Sequence, residues 1–283
     1  MSAPPPRKGI QVLIDTHYHA SPHWWEPVEV FLFHMDRCGI SKGVLVQAIG
    51  EFDNSYLLQC RQRFPERIAS VGLVNREDPA TPKEMERLVR EGMAGFRLSL
   101  VDGKVLAKPH ALWRQAEDLG VVVSVVGTTD QYASAAFAEV VKSFPRLKII
   151  IEHLGVVGRL QTGGHGGDNQ IPQPPYAQYR RILELATSPN LYIKVPGFGE
   201  MMPRPRVFRG PAFDLTQVPP FIDMCVDAFG PDRMMVGTDP SSSVREGYAN
   251  VWGNLQTYLT KFSRSGQDAI LGGTAARLFT FGS

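Results

Sequence analysis

The stretch LIDTHYHASPHWW, residues 13–25, places three of the chain's seven histidines close to an aspartate. His17 and His19 are two residues apart, so on an extended strand their side chains point the same way. Two neutral imidazoles on one face suit a divalent metal such as zinc. A polar loop could carry the same residues without binding anything, so the pair alone leaves both interpretations open.

Other ionisable residues lie in or at the ends of apolar runs farther along the chain. His153 ends LKIIIEH and Asp239 ends RMMVGTD, while Arg97 and Lys194 interrupt AGFRLSL and NLYIKV. A carboxylate could act as a general base, and an imidazole or guanidinium could stabilise a developing oxyanion. The structural alternatives are a buried salt bridge for Arg97 or Lys194, a core histidine bonded to backbone for His153, and a turn for Asp239.

The segments that must position these residues alternate in kind. Eight short β-rich runs are separated by stretches with helical spacing, and many runs are continuous Val, Ile and Leu, as in parallel strands covered on both faces. The predicted strands are 10–15, 42–48, 68–74, 94–100, 121–127, 147–153, 190–195 and 233–239. This alternation predicts an α/β fold, a (β/α)8 TIM barrel. An open doubly wound sheet is the alternative, but DTHYHA stands where its glycine fingerprint would be.

A barrel would bring the predicted site together, because its active site lies at the carboxyl ends of the strands. We therefore expect His17, His19, His153 and Asp239 to meet at one mouth. Asp15 is expected to orient a loop or a histidine, and Glu152 to lie on the face opposite His153. The predicted substrate-binding residues are Trp24, Trp25, Asn54, Lys194 and Arg159. Two long loops, 155–176 and 196–218, would hang over this face.

Composition limits the partners. The 283 residues are 43% hydrophobic and 20% charged, with 30 Lys and Arg against 28 Asp and Glu. Without a basic stripe or a long apolar run, we expect a small-molecule substrate rather than nucleic acid or a membrane. Residues 1–9 are predicted to be a disordered Pro-rich leader and 10–283 a single domain. Three widely spaced cysteines indicate reduced thiols and a cytoplasmic protein. A homo-oligomer stays open.

Several motifs together resemble a known family. IDTHYH, IIIEHLG, LYIKVPGFGE and FGPDRMMVGTDP are similar, in order and spacing, to the motifs of the amidohydrolase superfamily, in its amidohydrolase-2 or amidohydrolase-related group. ILGGTAARLF resembles the C-terminal signature of that group, with Thr274 where Asn is usual. VLVQAIGEFDNSYL resembles the lactonase branch, which includes 2-pyrone-4,6-dicarboxylate lactonase and sulfomuconolactone hydrolase. The resemblance covers residues 10–281.

The resemblance implies that His17, His19 and Asp239, with His153, hold one divalent metal, zinc being the expected ion. The strand-four and strand-five segments FRLSL and VVVSVVGTTD lack the Lys, Glu or His that a two-metal centre would need. A metal-free site is also compatible with the lactonase branch. In both versions Asp239 activates water that attacks a lactone carbonyl, and His153 or Arg97 stabilises the oxyanion.

Three classes of function follow from these observations. The first is a hydrolase that opens a lactone or a related cyclic ester. The second is a non-oxidative decarboxylase resembling aminocarboxymuconate semialdehyde decarboxylase, disfavoured because strand five lacks a histidine. The third is a barrel that binds a ligand without catalysis, disfavoured because buried His and Asp at the mouth cost stability without an evident gain.

Overall fold

A computed structural model of the protein describes residues 12–100, 110–157, 173–202, 213–240 and 247–282. Eight parallel strands form one sheet in which each pairs with its neighbour in the chain. They are β1 (Ile14–Tyr18), β2 (Lys42–Val46), β3 (Ile68–Leu73), β4 (Gly95–Ser99), β5 (Val122–Val126), β6 (Ile149–Ile151), β7 (Leu191–Val195) and β8 (Met234–Val236). The predicted (β/α)8 barrel is confirmed. The predicted leader, 1–9, lies outside the described residues.

Helices occupy the segments between the strands. The described helices are Val28–Cys38, Ser55–Arg63, Thr81–Arg90, Ala111–Leu119, Thr129–Tyr132, Ala135–Ser143, Ala177–Glu184, Phe221–Phe229, Tyr248–Leu259, Arg264–Asp268 and Thr274–Leu278. The first helix shows the cause: Val28, Phe31 and Met35 share one buried face, and Gly39 ends the helix with a φ of 69°. Within the described ranges, no helix is long and apolar enough to cross a membrane.

Two apolar cores hold the barrel. One fills its inside with side chains of alternate strand residues, including Val44, Val71, Val122 and Ile150. The other lies between the outer face of the strands and the helices, where Trp113 and Trp252 are fully buried. Both faces of each strand are therefore covered, which explains why the strands are continuous apolar runs rather than alternating ones.

The last strand closes on the first. The backbone N–H of Asp239 donates to the carbonyl of His17 over 3.0 Å, and the Thr16 hydroxyl donates to the carbonyl of Val236 over 2.7 Å. Gly237 allows the two strands to approach closely, since a Cβ there would lie 3.0 Å from both Thr16 Oγ1 and His17 Cβ and would force these neighbours to shift. The seam between β1 and β8 thus lies directly beneath the predicted site.

Two strand boundaries differ from the prediction in a way that matters for the site. β1 runs from Ile14 to Tyr18 rather than over 10–15, so His17 is part of the strand. β6 ends at Ile151 rather than at 153, so Glu152 and His153 lie in the turn that follows it. Apolar runs without alternation carry no signal for where pairing stops.

Candidate active site

The histidine pair at the end of β1 converges as predicted. β1 contains one extra residue relative to β2 between Asp15 and Tyr18, an irregularity that re-aims side chains locally. The Nε2 atoms of His17 and His19 lie 3.3 Å apart. His19 Nδ1 lies 2.6 Å from the carbonyl oxygen of Val46 and donates its proton there. The lone pair of His19 Nε2 therefore faces His17.

His153 and Asp239 complete the cluster from β6 and β8. Both residues have left-handed backbones, with φ of 50° and 39°, a strained conformation for non-glycine residues that is concentrated at functional sites. His153 Nε2 lies 3.7 Å from Asp239 Oδ2, and His19 Nε2 lies 3.9 Å from Asp239 Oδ1. One ligand atom each of His17, His153 and Asp239 lies within 4.8 Å of the others, and all three residues are buried.

This donor set fits a divalent metal ion. Burial, with the positive charge of Lys194 next in effect, holds the pKa of His17 well below its usual value, and burial also lowers the pKa of His19. Both imidazoles are thus neutral near pH 7, as metal ligands must be. Two nitrogen ligands of a tetrahedral zinc lie about 3.3 Å apart, given metal–nitrogen distances of about 2.0 Å. The separation of the two Nε2 atoms matches this value.

A layer of buried polar side chains supports the cluster from inside the barrel. Arg97 Nη2 donates to Glu152 Oε2 over 2.6 Å, and Ser124 Oγ donates to Glu152 Oε1 over 2.9 Å. Lys194 Nζ lies 3.3 Å from His17 Nδ1, 3.2 Å from Ser124 Oγ and 3.8 Å from Glu152 Oε1. Glu152 Oε1 lies 3.7 Å from His17 Nδ1 and is an acceptor within reach when His17 binds a metal through Nε2.

Glu152 is the anion of this layer, and it lies between the two cations Arg97 and Lys194. Burial raises the pKa of Glu152, but Arg97 and Lys194 outweigh that effect and bring it to about 2. Burial lowers the pKa of Lys194 to about 8, against the opposing effect of Glu152. Glu152 is therefore an anion between cationic neighbours throughout the physiological range.

These contacts bear on three predictions. Glu152 was expected on the face opposite His153, which is wrong, because the strand ends at Ile151 and the left-handed turn at His153 directs both side chains inward. Lys194 is fully buried with its Nζ 3.3 Å from His17 Nδ1, so the contacts seen are with the buried polar layer, and its role in substrate binding stays a prediction. Arg97 forms the buried ion pair that was its structural alternative, with Nη1 bound to the carbonyl of Gln47 over 2.8 Å.

The other four predicted substrate-binding residues lie in four different situations. Trp25 packs on His19 with ring centroids 5.2 Å apart, beside a cavity of about 210 Å³ that His19 also lines. Trp24 is 88% exposed and does not form a wall. Asn54 is not free to bind a substrate, because its amide donates to the carbonyls of Phe52 and Leu73. Arg159 lies outside the described residues, as do most of the two long loops.

Asp15 positions the end of β8 rather than serving as a metal ligand. Its carboxylate accepts from the Thr238 backbone N–H over 2.9 Å, the Thr238 hydroxyl over 2.6 Å and the Tyr248 hydroxyl over 2.7 Å. The backbone N–H of His17 also lies 3.2 Å from Asp15 Oδ1. Although burial raises the pKa of Asp15, these donors stabilise the anion.

The sequence analysis missed two participants. Ser124 joins Glu152 to Lys194, and a serine inside VVVSVVG was the only available signal. Glu200 is buried with its Oε1 3.4 Å from His153 Nδ1, on the side of the ring away from Asp239. A carboxylate in that position fixes the tautomer of the histidine and presents its other nitrogen to the cluster.

Comparisons with known proteins identify the family of this chain. Residues 14–281 match the family model described as Amidohydrolase. An L-fucono-1,5-lactonase of Burkholderia multivorans is 33% identical over 265 residues, 88% of this chain and 83% of that protein. An L-fucono-1,5-lactonase of Burkholderia ambifaria is 26% identical over 258 residues, 80% of this chain and 79% of that protein.

Solved structures share the fold at lower identity. A zinc-bound amidohydrolase from Burkholderia multivorans has a TM-score of 0.72 and 21% identity, covering 95% of this chain and 99% of its own. A 2-pyrone-4,6-dicarboxylic acid hydrolase structure from Pseudomonas putida has the same score and identity, covering 95% and 97%. 5-Carboxyvanillate decarboxylase from Sphingomonas paucimobilis scores 0.62 at 16% identity, covering 95% and 99%. By the match of nearly its whole length, this chain belongs to the amidohydrolase family.

Proposed function

We propose that the protein is a lactonase, which uses water to open a cyclic ester to a hydroxy acid. The observation that carries this proposal is the convergence of the Asp239 carboxylate with His17, His19 and His153 in a buried cluster at the carboxyl ends of the strands. The names of the two lactonase relatives support the same reaction.

Asp239 acts as the general base. Its backbone N–H is held by the carbonyl of His17, so the carboxylate is fixed toward the histidines. As the water oxygen bonds to the lactone carbonyl carbon, Asp239 accepts a proton from that water. The carbon–oxygen bond of the ring then breaks, and the proton passes from Asp239 to the departing ring oxygen. The product carries one carboxyl group and one hydroxyl group.

One divalent ion, for which we propose zinc, would be held by His17, His19 and Asp239 with His153. When bound, such an ion lowers the pKa of water and polarises a carbonyl oxygen. The zinc found in a structurally similar amidohydrolase supports this choice of ion. In the metal-free version of the mechanism, the histidine cluster would polarise the carbonyl, with the hydrogen bond donated by a histidine other than His19, whose proton is held by the carbonyl of Val46.

In the metal-free version of the mechanism, His153 is the better candidate for stabilising the oxyanion, because there it is not a metal ligand. Arg97 was the other, but its guanidinium is engaged by Glu152 and by the carbonyl of Gln47. His153 Nδ1 faces Glu200, which supports positive charge on the ring as the oxyanion forms. Arg97 is therefore a positioning residue that holds Glu152 beneath His17.

A decarboxylase is the second candidate, and the structurally similar decarboxylase supports only the shared fold at 16% identity.

We also propose a small-molecule substrate, a cytoplasmic location and a possible homo-oligomer, as the sequence predicts. The three cysteines are free thiols, and Cys60 and Cys225 are buried, which supports a reducing compartment.

A direct assay separates the candidates. Unsubstituted δ-valerolactone and L-fucono-1,5-lactone are incubated with the purified protein, and acid release is followed with a pH indicator. A dihydroxybenzoate is tested in parallel for release of carbon dioxide. We expect acid release above the uncatalysed rate and no carbon dioxide. Carbon dioxide release without lactone opening would overturn the proposal in favour of the decarboxylase.

A further inference from the structure

A second cavity, of about 330 Å³, lies beside the proposed site at the carboxyl ends of β2 to β5. This volume is at the lower end of the range for small-molecule sites. Its walls include the apolar side chains Ile49, Phe52, Leu73, Val74, Leu98, Leu112 and Val126. The mechanism described above does not use this cavity, and its chemistry differs from that of the histidine cluster.

The cavity and the histidine cluster share a wall. Arg97 lines the cavity and binds Glu152, whose other oxygen lies 3.7 Å from His17 Nδ1. The end of β2 joins them as well: the carbonyl of Val46 binds His19, and Ile49, three residues later, lines the cavity. The cavity is therefore the immediate neighbour of the histidine cluster on the side of β3 and β4.

The polar side chains that line this cavity are engaged by protein partners, except at Arg97 Nε, which is buried without a hydrogen bond. Among its described lining residues, these are Arg76, Arg97 and Ser99. Arg76 Nη1 donates to Ser99 Oγ over 2.9 Å, and Arg97 is bound by Glu152. Apart from the single donor at Arg97 Nε, hydroxyl groups of a substrate placed here would lose water without gaining matched partners, which costs free energy.

The rim of the cavity is also apolar. Ile49 is 70% exposed and Phe52 is 47% exposed, and the two residues lie together at the opening after β2. Grouped large apolar side chains on the surface, next to a concave site, indicate contact with an apolar ligand. The rim and the walls therefore agree on the chemistry of the occupant.

From these observations, and resting on the proposed lactonase activity, we infer that the substrate is a lactone with an apolar alkyl or aryl substituent on its ring. The substituent occupies the cavity at the ends of β2 to β5, while the carbonyl lies at the histidine cluster. This substrate class differs from the polyhydroxylated lactone in the names of the two relatives.

The test is a homologous series of δ-lactones with ring substituents from methyl to pentyl, compared with δ-valerolactone and L-fucono-1,5-lactone. We expect kcat/KM to rise about fourfold for each methylene until the cavity is full, the value that corresponds to about 0.8 kcal/mol per buried methylene. L-fucono-1,5-lactone should be opened more slowly than the pentyl compound. A flat or falling dependence on chain length would overturn the inference while leaving lactonase activity intact.

Substitutions in the cavity test whether the dependence of kcat/KM on chain length arises there. Ile49→Asn at the exposed rim and Val126→Thr, which is nearly isosteric, should flatten the dependence of kcat/KM on chain length, measured relative to δ-valerolactone for each variant. Phe33→Asn is the matched control, because Phe33 is 59% exposed and lies on the helix Val28–Cys38, away from the cavity. Equal effects of all three substitutions would contradict the assignment.

Binding gives a readout without turnover. δ-Lactams with the same alkyl groups resist hydrolysis, and their affinity can be measured by calorimetry. Affinity that increases with chain length, with a negative heat-capacity change, would support the cavity assignment even if no lactone were opened. In that case only the proposed reaction would fail. Lactam binding that is independent of chain length would overturn the inference.

Discussion

Glu152 Oε2 lies 2.6 Å from Arg97 Nη2, and both side chains are buried beneath the imidazole of His17. Removing one partner of such a pair leaves an uncompensated charge in the interior. We expect Glu152→Gln to lower the free energy of unfolding by about 3–5 kcal/mol, because Arg97 and Lys194 lose their counter-ion. Urea unfolding followed by fluorescence measures this change.

The control for that measurement is an exposed pair on the same chain. Glu84 accepts from Arg87 over 2.6 Å, but both side chains are nearly half exposed. Glu84→Gln should change the free energy of unfolding by no more than about 1 kcal/mol. If the two variants cost the same, the buried pair is not the stabilising element described above.

The Glu152 carboxylate also predicts how the free energy of unfolding declines in acid. The pKa of Glu152 falls from 4.5 to about 2 on folding, so its contribution to stability is fully present above pH 4.5. As the pH falls from 4.5 through 2, the folded state must take up this proton and the contribution is lost. Wild-type stability should therefore decline more steeply over that window than the stability of Glu152→Gln. Parallel curves for the two proteins would contradict the assignment.

Asp239 carries the proton transfer in both versions of the mechanism. Asp239→Asn keeps the shape of the side chain but cannot accept a proton, so kcat for lactone opening should fall by about 10²–10⁴. Circular dichroism should show an unchanged fold. Asp232→Asn is the control, because its side chain is 80% exposed. Retained turnover in Asp239→Asn would exclude Asp239 as the base.

Metal content tests the histidine pair. Protein purified without added metal should contain about one divalent ion per chain, and His17→Gln or His19→Gln should lose that ion on dialysis, as measured by plasma mass spectrometry. His23→Gln should keep it, because His23 is an exposed neighbour from the same segment. Full activity of a wild-type preparation free of metal would instead support the metal-free version.

The sequence predicted the fold and the convergence of the cluster because both depend on patterns that can be read along the chain. Alternating apolar runs specify the barrel, and the barrel brings His17 and Asp239 to one mouth. The orientation of Glu152 was not predicted, because the segment IIIEH has no alternation of apolar and polar residues to show which side chains face inward. Only the left-handed turn at His153 decides this, and the one glycine of that turn, Gly155, comes two residues after the position where the chain turns.

The structural contacts of two other predicted site residues were also not predicted. Asn54 and Lys194 are polar residues near strand ends, and residue type alone does not distinguish a ligand contact from a structural hydrogen bond. Their actual partners are the carbonyl of Leu73 and the imidazole of His17, which come from other parts of the chain. Such pairings depend on three-dimensional register, which local sequence patterns do not encode.

The seam between the first and last strands has a consequence for biosynthesis. Asp15 is held by Thr238 and Tyr248, more than 220 residues later, and the carbonyl of His17 accepts a hydrogen bond from the backbone N–H of Asp239. The cluster therefore does not exist in any shorter nascent chain. The enzyme becomes active only after the segment through Tyr248 has emerged from the ribosome and docked, so a ribosome stalled before that point carries an inert polypeptide.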